Sequence, residues 1–153
     1  MKYRILTKEE LTHFDEDFKH FLISNGISNE DWLKWNKNHD TKATELVQLF
    51  SDIVLQKVYE KIEFLEHRNQ SSCIIFHMKK DNIDLISLNA KTETTNLSTI
   101  ESIHYNLVNK PENINYFKTS KSYTKTRELE IHELIESGCV LSSKDFWEEL
   151  MKI

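Results

Sequence analysis

Leu11, Phe14, Phe18, Phe21 and Leu22 recur at intervals of three and four, the repeat of one apolar helix face, and the stripe stops at Asn25-Gly26. Thr7 precedes the stripe with Glu10 three residues on and Leu6 set to staple against Leu11, so a capped helix is predicted over 8–24. Ile27-Ser28 repeats the device ahead of Trp32, with Asp31 as the acidic third residue, and predicts a short helix ending near residue 39. No breaker follows from 41 to 67, and Leu46, Val47, Phe50, Ile53 and Val54 make a broad apolar face. A long central helix is expected there. Its stripe rotates at Val58, Ile62 and Leu65, which implies helices as partners at one end and a sheet at the other.

The pattern then changes period. Asn69-Gln70-Ser71-Ser72 breaks the helix, 73–78 is β-branched and aromatic enough for a strand, and 83–89 is its hairpin partner through Lys79-Lys80-Asp81-Asn82. That loop length sets Met78 opposite Ile83 and His77 opposite Asp84. Ser98 with Glu101 predicts a helix that stops before Pro111, a third strand follows at 114–119, and 127–137 reads as a helix closed by Gly138. A short strand at 139–141 leads to a last helix capped by Ser142, with Asp145 third and Leu141 stapling Phe146. The order is ααα-ββ-αβαβα. It describes one α+β domain over 1–153, its central helix packed on a small mixed sheet of three or four strands.

Composition narrows the function classes. With 2 glycines and 1 proline in 153 residues, the glycine-rich phosphate loops of Rossmann and P-loop domains are excluded. Cys73 and Cys139 lie far apart with no Cys-x-x-Cys pair and read as reduced, buried small hydrophobes. A mean hydropathy of -0.56 leaves no segment suited to a bilayer, and Lys8-Glu9-Glu10 follow Lys2 and Arg4 too closely for a signal peptide. A cytoplasmic protein, monomeric or a simple homodimer, is the expectation.

Candidate chemistry is sparse, and no cofactor is implied. Glu60, Glu63 and His67 would share a face of the central helix and could offer two carboxylates and an imidazole to a divalent ion for assisted hydrolysis; a solvated helix face is the plainer reading. Glu101 and His104 have Glu-x-x-His spacing without the second motif that di-iron bundles require. The His77 and Asp84 pair could be an oriented imidazole or a charge pair that fixes register, and Cys73 shares its face two steps away. Trp32 and Trp35 could form an aromatic docking patch or bury against the first helix. Asp52, on the narrow polar side of the central helix, could cap a neighbouring segment or pair with a lysine.

Met1-Lys2-Tyr3-Arg4 with Leu6-Thr7, Phe50-Ser51-Asp52-Ile53, Leu65-Glu66-His67, and Phe117 with Ser120-Lys121 and Tyr123 resemble a small bacterial, Bacteroidetes-type family of unknown function. The resemblance runs over nearly the whole chain. It implies a bacterial cytosolic single domain and brings no catalytic, cofactor or metal residue with it.

Charge is distributed unevenly. The segment 110–127 carries Lys110, Lys118, Lys121, Lys125 and Arg127 against Glu112, a net +4, which leaves -9 in the rest of a chain of net charge -5. Tyr116, Phe117 and Tyr123 are interleaved with these cations. The mixture suits an acidic protein partner or RNA phosphates, and the plainer reading is a sheet edge guarded by lysines. The predicted function is therefore a non-enzymatic binding or adaptor protein whose surface is Lys110, Tyr116, Lys118, Lys121, Tyr123, Lys125 and Arg127.

Overall fold

The computed structural model describes residues 1–153, which form two compact units, Met1–Glu60 and Lys61–Ile153. The first is helical: α1 (Lys8–His13), α2 (Asp15–Ser24), α3 (Asn29–Lys37) and α4 (Thr41–Glu60). The capping box at its start is complete, since Thr7 Oγ1 accepts from Glu10 N and Thr7 N donates to the Glu10 carboxylate. Arg4 makes a two-point contact with the same carboxylate at 2.7 and 2.9 Å, and this holds Glu10 down to about 2. The single helix expected over 8–24 is divided at Phe14, where Thr12 bonds back to the Lys8 carbonyl at 2.9 Å, a contact that bends helices.

On α4, Asp52 caps the extended N-terminus: the main-chain N–H groups of Lys2 and Tyr3 donate to its two oxygens at 2.6 and 2.9 Å. Ser51, fully buried one residue earlier, accepts from Leu6 N at 3.0 Å. Trp32 meets Phe18 of α2 edge-on with ring centres 4.9 Å apart, and Lys42 lies over Trp35, so both half-buried tryptophans have contacts within this unit.

The second unit contains β1 (Phe64–Arg68), β2 (Ser72–Met78), β3 (Asn82–Ala90), α5 (Ile100–Asn109), β4 (Ile114–Ser122), α6 (Arg127–Glu136), β5 (Val140–Leu141) and α7 (Lys144–Met151), with a 3-10 turn at Pro111–Asn113 before β4. The sheet order is β4-β3-β2-β1-β5 and every neighbouring pair is antiparallel. About half the chain is helix and 21% strand, an α+β protein with helices on a small sheet.

Two expectations are corrected here. The sheet has five strands and is wholly antiparallel rather than mixed, because no connection in it is a right-handed parallel crossover. The central helix ends at Glu60 rather than reaching His67, and Phe64–Arg68 is instead a strand between β2 and β5. The rotated stripe at Ile62 and Leu65 marks this change of element. Phe64, Leu65 and Glu66 are all buried, which a strand covered on both faces achieves and a helical stripe does not.

Alternation along the strands sends Cys73, Ile75, Ile86 and Leu88 to one face, where they cluster with Phe64, Leu97, Ile103, Phe146, Trp147 and Leu150. Leu65, Phe76, Met78 and Ile83 face the other way and are also buried. Gly138, at φ +112, closes α6 with a conformation that side chains rarely adopt. Two helix caps sit one residue later than expected, at Thr99 and Ser143, each the second of two adjacent hydroxyl residues.

Candidate functional site

β4 is an edge strand of nine residues paired only with β3, and everything in it after Ile114 is exposed. Its register against β3 runs unbroken from Ala90↔Ile114 to Asn82↔Ser122. Tyr116, Lys118 and Ser120 therefore share the face that carries Leu88, Ile86 and Asp84, while Phe117, Thr119 and Lys121 share the opposite one. Tyr116 and Phe117 are each 53% exposed, a large apolar load for an uncovered strand.

The seven residues of the sequence-derived surface separate into two groups. Lys110, the C-cap of α5, and Lys121 are exposed and make no ion pair. Tyr116 and Lys118 are exposed on the strand, although Lys118 Nζ also donates to the Met151 and Ile153 carbonyls at 3.0 and 2.6 Å and lies 6.0 Å from the Tyr116 ring centre. The other three are built into the fold. Tyr123 donates its hydroxyl to the Lys79 carbonyl at 2.6 Å, and burial chiefly raises its titration. Lys125 is paired with Glu133 of α6. Arg127 donates from Nε and Nη2 to the Met78 carbonyl at 3.2 and 3.0 Å, and from Nη2 to the Ile62 carbonyl. It fastens the start of α6 to the end of β2.

His77 stands opposite Asp84, as the loop length requires. The two do not form a hydrogen-bonded dyad. Asp84 takes bonds from Ser120 Oγ (2.5 Å), Asn82 Nδ2 (2.9 Å) and Lys79 Nζ (3.2 Å), and the Ser120 bond is the main reason its carboxyl titrates below the usual range. His77 stacks on Phe64, with ring centres 4.5 Å apart, and meets Trp147 edge-on; burial lowers its titration despite the opposing influence of Asp84. Cys73 on the same face is fully buried, and burial first, then Glu66, pushes its thiol up to about 12. Such a thiol is no nucleophile at neutral pH.

The helical spacing that would have joined Glu60, Glu63 and His67 is lost: Glu60 ends α4, Glu63 lies in the turn and His67 is on β1. His104 pairs with Glu149 of α7 rather than with Glu101. No three His, Cys, Asp or Glu side chains gather as a metal-binding group.

A buried ion pair escapes the sequence reading because its segment looks helical. Glu66, 4% exposed, faces the side of the sheet that carries Cys73 and Ile75 and is paired with Arg68 two residues on. Arg68 Nη2 donates to Glu66 Oε1 at 3.2 Å, and Nη1 reaches the Ser98 carbonyl, also at 3.2 Å. Glu66 Oε2, 3.2 Å from Arg68 Nε, accepts no hydrogen bond. Burial raises the titration of this carboxyl and Arg68 opposes the rise. A charged alternation, Glu66-His67-Arg68 after two apolar residues, is the only signal that could have located it.

The model of DUF6495, a family of unknown function, matches residues 1–153. The chain belongs to that family. No curated protein and no solved structure matches the chain. Membership of DUF6495 agrees with the resemblance seen in the sequence at the level of an unknown-function family spanning the whole chain, and it assigns no role to any residue. No helix of this DUF6495 protein is long and apolar enough to cross a membrane.

Proposed function

We propose that the chain is a cytosolic bacterial binding protein, without catalysis of its own, that receives an acidic segment of a partner protein on the β4 edge. The observation that carries this reading is the edge itself: eight consecutive exposed residues with two half-exposed aromatics, two lysines and no carboxylate. On a chain of net charge -5, an acidic partner is repelled by the body and held only where cations concentrate, within a Debye length of roughly 8 Å. On β4 itself Lys118 and Lys121 supply those cations, Lys118 while also donating to the Met151 and Ile153 carbonyls and Lys121 without an ion pair of its own.

RNA phosphates are the less favoured ligand. A polyanion needs several converging cations, and here Lys125 is neutralised by Glu133 while Arg127 is spent on main-chain carbonyls. A metal-assisted hydrolase has no assembled ligand set to support it.

Lys121→Glu is the cleanest test, because Lys121 is exposed and makes no ion pair whose loss could disturb the fold. Reversal of this charge should weaken an acidic peptide about tenfold by fluorescence anisotropy, and Lys118→Glu with Lys121→Glu should weaken it further, with circular dichroism unchanged in the single variant. Unaltered binding by the double variant would remove the reading. Tight binding of poly-U, lost in the same variants, would replace it with the RNA alternative.

A further inference from the structure

The edge of β4 offers main chain as well as side chains, and the hydrogen-bond phase of the sheet says which residues offer it. Ala90 N donates to the Ser71 carbonyl at 2.9 Å and Lys79 N to the Asn82 carbonyl at 3.1 Å, so the even-numbered residues of β3 turn their main-chain groups toward β2. Its odd-numbered residues must then turn toward β4, and Lys91 N, donating to the Asn113 carbonyl at 2.8 Å, continues that series. In the observed register, odd-numbered β3 residues pair with odd-numbered β4 residues: Ser87 with Phe117, Leu85 with Thr119 and Ile83 with Lys121. The even-numbered residues of β4 are left with N–H and C=O groups directed away from the sheet.

We infer that the partner segment binds as a sixth strand, its main chain hydrogen-bonded to the outward N–H and C=O groups of Tyr116, Lys118, Ser120 and Ser122. This rests on the reading that β4 receives an acidic partner, and it adds the mode of binding and the form of the ligand. Natural edge strands are blunted by proline, bulges or short length. β4 contains no proline, its pairing has no bulge, and at nine residues it is long for an edge. Lysines are its only guard, and a guard of one sign is also a selector for the other.

The occupant is an extended acidic segment rather than a second copy of this chain. β4 carries Lys118 and Lys121 and no Asp or Glu, so a second β4 supplies no counter-charge in any register. The two lysines project to opposite faces of the edge, and a ligand with carboxylates along its length meets both. From Tyr116 to Ser122 the edge spans roughly 20 Å, which matches about seven extended residues.

A labelled nine-residue peptide alternating Glu and Val serves as the probe, read by fluorescence anisotropy against the full chain. Ser120→Ala removes the hydroxyl on Asp84 but keeps the outward N–H; Ser120→Pro removes that N–H, which plays no part in the bonds to β3. Ser120→Ala should bind within about twofold of the wild type and Ser120→Pro should lose tenfold or more. The same peptide N-methylated at every residue, which needs no altered protein, should also fail to bind. Should Ser120→Pro and the methylated peptide bind normally while Lys121→Glu does not, the acidic partner stands and strand addition is overturned. Should the wild type not bind the probe at all, or bind it equally with Lys121→Glu, both fall. A wild type that pairs through β4 with its own copy and excludes the peptide would overturn the choice of occupant.

Discussion

Arg68→Met is expected to destabilise the fold by roughly 3–5 kcal/mol, the range for removing one partner of a buried ion pair. Glu66 is 4% exposed and faces Cys73 and Ile75, so without the guanidinium its charge has no compensation and must be neutralised by a proton. The pH dependence follows from that. A carboxyl raised by burial binds a proton more readily in the folded than in the unfolded chain, so its penalty grows as pH rises from the ordinary value through the raised one. Losing Arg68 raises it further. The stability gap between wild type and Arg68→Met should therefore be widest near neutrality and narrow toward pH 4.5. Urea unfolding of both proteins across that range measures it. The double variant Glu66→Leu with Arg68→Met should regain most of the loss, since apolar replacement of a buried pair is often neutral or better. A gap that does not vary with pH would show that Arg68 acts through its bond to the Ser98 carbonyl and its packing instead.

Arg127→Met should cost about 3 kcal/mol for a different reason. Arg127 supplies charge-assisted hydrogen bonds to two carbonyls, that of Met78 at the end of β2 and that of Ile62 in the turn before β1, and Met78 is only 2% exposed, so its carbonyl has little access to water. Lysine should recover less than half, because an ammonium cannot serve both carbonyls in the plane of a guanidinium fork. The urea midpoint reports the loss, a fall on the order of 1–2 M for a chain of this size. Peptide affinity of the protein that remains folded should be unchanged. If Arg127→Met kept its stability and lost the peptide, Arg127 would belong to the binding surface as its charge first suggested.

These two arginines show where sequence reading succeeds and where it stops. Hairpin register could be derived because a turn of fixed length leaves one pairing open, and His77 does face Asp84. Thr7 with Glu10 could be recognised because both halves of a capping box are local. Phe64–Arg68 could not, since it lacks glycine and proline and becomes a strand only by having β2 and β5 on either side. The buried pair was hidden with it. In 110–127 the residue pattern gave the strand and the net +4 marked its lysines, yet charge counting is blind to direction: alternation separates Lys118 from Lys121, and Arg127 turns inward to carbonyls many residues away in sequence. Adjacent hydroxyls at Ser98-Thr99 and Ser142-Ser143 left each cap open to one residue, which only docking of the helix decides.

Residue-resolved amide hydrogen exchange along β4, with and without the alternating Glu-Val peptide, tests the open edge most directly. Slow exchange is expected at Phe117, Thr119 and Lys121, whose N–H groups bond to β3, and fast exchange at Tyr116, Lys118 and Ser120, with the fast set becoming protected when the peptide is added. Protection of Tyr116, Lys118 and Ser120 in the free protein, or their continued fast exchange under saturating peptide, would contradict strand addition at an open edge.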